Sequence, residues 1–327
     1  MIRTNHLASK RAFAAKFVER RRYFYGEGDL NWMGDALSDN IKSVKLAFDK
    51  YQYKEESKLP PIVMLHGLFG NKGNNRSVGR KLSQELKRDV YCLDLRNHGD
   101  SPHIARHDYP SLAQDVERFI ENEEFYKKQN KLCVLIGHSM GAKTAMAVLL
   151  RKEKLVSMGV IVDNSPVSFA SASGSIFGQY VRKLLDITEN KSLGIQSLRE
   201  ADEYLKSIEA NEFTRKFLLT NLKRSKNSSS SIAYESKVPL RILGKAIDNG
   251  HIAGWPYDSR AVRSTKPAVF IRGSRSKYVA DEYLRDVGMF FPNFRLDEID
   301  AGHWVISEKP TEFVARVKHW VEWFEEP

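Results

Sequence analysis

Residues 131–152 read KLCVLIGHSMGAKTAMAVLLRK, and the fold turns on how this stretch is read. LCVLI has the branched, apolar composition of a buried strand. GAKTAMAVLL, after it, is built largely of helix formers. Between them stands Gly137-His138-Ser139-Met140-Gly141, a G-x-S-x-G pattern. Five residues match by chance in many chains, and an ordinary turn that happens to carry a serine is the plain alternative. The strand before and the helix after are what make the pattern informative. That setting holds a nucleophilic serine in a tight turn, with its hydroxyl projecting above a sheet and a helix N-terminus behind it.

The same rhythm extends outward in both directions. KSVKLAFDKYQY (42–53), PIVMLHG (61–67), DVYCLDL (89–95) and MGVIVDNSP (158–166) read as strands. KGNNRSVGRKLSQELK (72–87) and SLAQDVERFIENEE (111–124) read as helices. Short apolar runs alternating with amphipathic helices predict a mostly parallel sheet covered on both faces. The rhythm stops over residues 168–262, which are helical and polar-rich, with no convincing internal strand and a loop at Ser225–Ser231. It resumes with KPAVFIRG (266–273), FRLDEIDAGH (294–303) and a closing helix from Pro310, whose Phe313, Val317, Trp320, Val321 and Phe324 share one face. The organisation expected is one α/β domain over 40–327 with a helical cap inserted at about 168–262.

Composition narrows the classes. The chain has 327 residues, 42% of them hydrophobic, enough for a large core. Cys92 and Cys133 lie in apolar runs and read as core thiols. No apolar run reaches the roughly 18 residues that a membrane span needs. No His, Cys and Asp cluster has metal-ligand spacing, and neither metal nor cofactor is expected. The net charge is +11, but residues 1–24 hold seven basic residues and one acid, a net +6. The excess therefore belongs to one segment rather than to a nucleic-acid-binding face. That segment is Arg-rich and acid-poor and lacks the apolar stretch of a secretory signal, so residues 1–24 read as a mitochondrial transit peptide. A disordered basic tail is the plain alternative.

A serine hydroxyl needs a base. His303, in Asp300-Ala301-Gly302-His303-Trp304, follows the last strand and has the required chain order after Ser139. His66 reads as orienting a loop, His98 as bonding locally, and His138 is the x of the elbow. The usual place for the acid is after KPAVFIRG, but Ser274-Arg275-Ser276-Lys277-Tyr278-Val279 offers no carboxylate before Asp281. Asp163 ends the strand beside the nucleophile and is the assignment, with Asp281 the alternative. A turn-capping role is the plain reading of Asp163. For the developing oxyanion, the backbone N–H of Met140 is one donor and that of Leu68, in the glycine-bracketed loop after PIVML, is the second.

HGLFGNKGN, LDLRNHGDSPH, GHSMGAKTAM, VDNSPV and AGHW together resemble the mitochondrial abhydrolase-domain proteins and, within them, the yeast ethanol acetyltransferases. The likeness runs from about Leu59 to the C-terminus and is weakest in the cap. It implies an α/β-hydrolase fold and a triad of Ser139, Asp163 and His303, with the acid on the sixth strand of that fold. It also implies a mitochondrial enzyme that makes ethyl acetate from acetyl-CoA and ethanol, and that hydrolyses acetyl-CoA and short esters as well. A carboxylesterase or thioesterase without alcohol transfer shares these motifs. A non-catalytic ligand-binding member of the fold is the alternative of another class.

Acceptor choice is not written in any motif. Against water at tens of molar, a millimolar alcohol must be favoured about ten-thousandfold, or about 5.5 kcal/mol. Phe169, Ile176, Phe177 and Trp255 are candidates for a pocket that does this, with cap packing as their plain reading. Arg182, Lys183, Arg215 and Lys216 are candidates for attracting CoA phosphates, with a solvated helix face as theirs.

Overall fold

The computed structural model describes residues 34–55, 57–169, 175–226 and 232–326. The proposed transit peptide lies outside the described residues. In chain order the strands are β1 (Phe48–Tyr51), β2 (Ile62–Leu65), β3 (Val90–Leu93), β4 (Cys133–His138), β5 (Val156–Val162), β6 (Leu222–Arg224), β7 (Tyr234–Ser236), β8 (Ala268–Gly273) and β9 (Phe294–Ile299). Seven of them form one sheet in the order β1-β3-β2-β4-β5-β8-β9. Only β1 runs antiparallel to its neighbour. This is the mostly parallel sheet that the sequence predicts.

The central strands are short and apolar because both faces are covered. Every residue of β2, β3 and β4 is buried. Val63, Leu65, Leu93, Leu135 and Ile161 face one core, which takes in the helices α2 (Tyr109–Asn122) and α3 (Met140–Lys152). Ile62, Met64, Val134, Ile136 and Val160 face the other, which takes in α1 (Arg76–Glu85) and the closing helix, α9 (Pro310–Glu325), through Val78, Leu82, Phe313, Val317 and Val321. Cys92 and Cys133 are free and buried. The turn after β3 is anchored by a buried ion pair, in which Arg96 donates through Nε and Nη2 to the two oxygens of Asp115 at 2.6 and 2.8 Å.

Between β5 and β8 the chain makes α4 (Ile176–Glu189), α5 (Leu198–Leu205), α6 (Glu212–Leu219) and α7 (Leu240–Asp248). It also makes the antiparallel pair β6/β7, where no strand is expected from sequence. Each of these strands has three residues, LKR and YES, with one buried side chain apiece. So short a polar pair leaves no period-2 signal to read. Residues 227–231, the body of the expected loop, lie outside the described residues. The helix α8 (Leu284–Phe290) joins β8 to β9. No helix among the described residues is long and apolar enough to cross a membrane.

Candidate active site

Ser139 sits between β4 and α3 with φ 55° and ψ −114°. A non-glycine residue held there costs about 1–3 kcal/mol and persists only where its surroundings enforce it. Here they do. Ser139 N donates to Val162 O at 3.0 Å, continuing the β4/β5 ladder past the strand end. Its own carbonyl accepts from Asn164 Nδ2 at 3.1 Å and from the first turn of α3. The flanking glycines are required by close approach: a Cβ on Gly137 would lie 2.1 Å from Gly141 O, and one on Gly141 would lie 2.5 Å from Leu65 O.

The sheet brings three distant side chains to this turn. Ser139 Oγ lies 2.9 Å from His303 Nε2, and His303 Nδ1 lies 2.6 Å from Asp163 Oδ2. With the proton on Nδ1, His303 donates to Asp163 and accepts from Ser139. Asp163 follows β5, the fifth strand along this chain, at φ 52° and is fully buried. Its Oδ1 accepts from Gly273 N at 3.0 Å and its Oδ2 accepts from Ser276 Oγ at 2.5 Å. Asp281, the alternative acid, is elsewhere: its side chain is 80% exposed and paired with Arg272. The segment after β8 thus contributes donors to the carboxylate of β5 rather than a carboxylate of its own.

The remaining histidines of this region hold loops. His66 accepts from Leu95 N at Nε2 and bonds Gly67 O through Nδ1. His98 accepts from Phe69 N at Nε2 and bonds Arg96 O through Nδ1. His138 donates from Nε2 to the backbone oxygen of His303 at 2.8 Å. Burial lowers the pKa of His66 and His98, and pushes His138 down to about 4, because an imidazolium loses its hydration there. These rings are neutral at pH 7.

A Cβ on Gly67 would lie 3.2 Å from Ser139 Cβ, so the loop after β2 runs against the serine. Within that loop Phe69 N is taken by His98, and Gly70 N donates to Gly67 O at 3.0 Å. The N–H groups of Leu68 and Met140 donate to no acceptor among the described residues. Two backbone N–H groups, one on the residue after Ser139 and one in the loop that runs against it, are thus left without an acceptor among the described residues. A cleft next to this loop and to His138 is walled by Phe213, Phe217, Trp304 and Ile306.

The expected pocket residues divide. Phe169 packs edge-on against Tyr278, whose ring centroid is 4.3 Å from that of His303. Trp255 instead belongs to the core, fully buried against Tyr109, Tyr257 and Phe290. Ile176 and Phe177 open α4, and Phe177 packs on Tyr180. Of the basic cap residues, Arg215 is buried and paired with Asp202, Lys216 is paired with Glu212, and Lys183 lies over the Tyr204 ring. Ser276, Tyr278 and Lys143 were not singled out from sequence. Ser276 alone left a signal, as a hydroxyl standing where a carboxylate is usual. Among the described residues no group of three or more His, Cys, Asp or Glu side chains is placed to hold a metal.

Residues 60–310 match the model of the alpha/beta hydrolase fold family. A Saccharomyces cerevisiae protein described as a probable alcohol acetyltransferase is 48% identical over 268 residues, covering 80% of this chain and 77% of its own. The sn-1-specific diacylglycerol lipase ABHD11 of Xenopus tropicalis is 34% identical, covering 88% and 85%. Ethanol acetyltransferase 1 of Hanseniaspora uvarum is 33% identical, covering 85% and 86%.

Proposed function

The chain belongs to the α/β-hydrolase family, and from that premise we propose that it is a serine-dependent acyltransferase that makes ethyl acetate from acetyl-CoA and ethanol. The observation that carries the serine chemistry is the hydrogen-bonded line from Ser139 through His303 to Asp163, with Ser139 held in its strained turn, while the likeness to alcohol and ethanol acetyltransferases supports the acetyl group and the ethanol acceptor. His303 Nε2 takes the Ser139 proton as Oγ attacks the thioester carbonyl. The oxyanion accepts from Met140 N and Leu68 N. His303 then returns the proton to the departing CoA thiolate, leaving acetyl-Ser139 and free thiol. Ethanol loses its proton to the same nitrogen, attacks the acyl-serine and leaves as ethyl acetate, while the proton goes back to Ser139. Asp163 holds the Nδ1–H tautomer and stabilises the imidazolium in both halves.

Water in place of ethanol gives acetate, and the likeness to a diacylglycerol lipase favours hydrolysis as a second reading. The two readings share one acyl-serine, so the product ratio tests them. With acetyl-CoA fixed, raising ethanol is expected to divert product from acetate to ethyl acetate in proportion, measured by gas chromatography. Free acetate as the only product at high ethanol removes the transferase reading and leaves an esterase or thioesterase.

The reading includes a mitochondrial location, supported by the basic, acid-poor composition of residues 1–24. Residues 1–30 fused to a fluorescent reporter are expected to carry it into yeast mitochondria. A reporter that stays in the cytosol with its N-terminus intact counts against it.

A further inference from the structure

Lys143 is fully buried, one turn along α3 from Ser139, and no carboxylate among the described residues neutralises it. Its Nζ donates to three backbone carbonyls: Val167 at 2.9 Å, Ala253 at 3.0 Å and Gly254 at 3.1 Å. The rings of Phe169 and Tyr109 flank it, with centroids at 4.8 and 5.4 Å. Burial pushes its pKa down to about 7. Yet only the ammonium form can donate to three acceptors at once, and the aromatic faces favour the same charge. A lysine retained for core packing alone would be better replaced by an apolar side chain.

What the ammonium joins is informative. Val167 lies four residues beyond Asp163, on the segment that carries the acid. Ala253 and Gly254 lie on the chain that returns from the cap toward β8. The two segments also bond directly, Phe169 N to Ala253 O at 3.0 Å and Trp255 N to Ser168 Oγ at 2.8 Å. Phe169 then meets Tyr278 edge-on, at 5.3 Å and 83°, and Tyr278 lies over the His303 ring. Tyr278 is held in addition by Ser165 Oγ, which donates to its carbonyl at 2.7 Å. We propose that Lys143 is a positioning residue, a tethered cation that clamps the acid segment and the Phe169–Tyr278 stack over His303 to the helix that begins at Ser139. It acts on the placement of His303 and touches no reacting atom.

The inference rests on the acyl-transfer reading, and its test separates the two. Wild-type protein is assayed first with p-nitrophenyl acetate and a fluorophosphonate probe; no turnover and no labelling would fail that reading itself. Lys143→Met is expected to lose about 10- to 100-fold in kcat, the cost of a misplaced reacting group. Its KM should stay within about threefold, because Lys143 hydrogen-bonds to none of the residues that wall the cleft beside His138. Lys143→Ala is expected to lose kcat as well, and to regain it with added propylammonium, which leaves wild-type kcat unchanged. Wild-type kcat in Lys143→Met overturns the proposal, and so does a loss in Lys143→Ala that propylammonium does not restore. If neither variant folds, Phe169→Leu decides. It breaks the ring contact without stranding a polar group, so reduced kcat at unchanged KM supports the clamp and wild-type kcat overturns it.

Discussion

Ser139→Ala is expected to lower kcat for ester and thioester turnover by roughly 10⁴- to 10⁶-fold, as loss of a serine nucleophile does elsewhere. The substitution removes one oxygen that bonds His303 Nε2 and leaves the rest of the turn in place. Its backbone anchors do not involve the side chain: Ser139 N to Val162 O, Asn164 Nδ2 to Ser139 O, and the glycine contacts at 137 and 141. Stability should therefore change little, and urea unfolding of the two proteins can check it. A small rate above the uncatalysed one is compatible with the reading, since the proposed oxyanion donors, the backbone N–H groups of Leu68 and Met140, do not depend on the serine side chain. Labelling by a fluorophosphonate should vanish. Turnover within tenfold of wild type, or undiminished labelling, would show that the nucleophile is a different residue.

The turn that carries Ser139 and the meeting of His303 with it were legible because their signals are local. G-x-S-x-G lies between its own strand and helix, and AGHW follows directly on the last strand. Asp163 was legible by contrast, as a carboxylate at a strand end set against a neighbouring loop that lacks one. What holds Asp163 was not. Ser276 reaches it across 113 residues, through the pairing of β5 with β8, and its one sequence signal, a hydroxyl where a carboxylate is usual, does not say which group it meets. Lys143 was hidden for a related reason. A lysine within a helix is normally assigned to solvent, and its inward path depends on carbonyls from positions 167, 253 and 254 arriving together. For Trp255 the packing reading holds rather than the pocket reading, because the sequence shows that a large ring must be buried but not which core takes it. Tyr109, Tyr257 and Phe290 do so, away from the cleft.

Asp163→Asn is expected to reduce kcat by about 10⁴-fold, because the amide favours the wrong tautomer of the base. The geometry gives the reason in detail. Three donors converge on the carboxylate: Gly273 N–H on Oδ1, and Ser276 O–H and His303 Nδ1–H on Oδ2. A carboxylate accepts them all. An amide replaces one oxygen with a donor. With its NH₂ toward His303, the ring must accept at Nδ1 and carry its proton on Nε2, where it faces Ser139 Oγ and cannot take that proton. With its NH₂ toward Gly273, a buried donor meets a buried donor, which costs about 1–3 kcal/mol and loosens the group that orients the ring. Neither orientation retains both the tautomer and the placement. Asp281→Asn removes an exposed partner of Arg272, which keeps Glu298, and kcat should stay within about twofold. The two variants are compared at saturating p-nitrophenyl acetate. A large loss in Asp281→Asn with near-normal rates in Asp163→Asn would move the acid to the loop after β8, and the Asp163–His303 contact would then be a packing feature of the sheet.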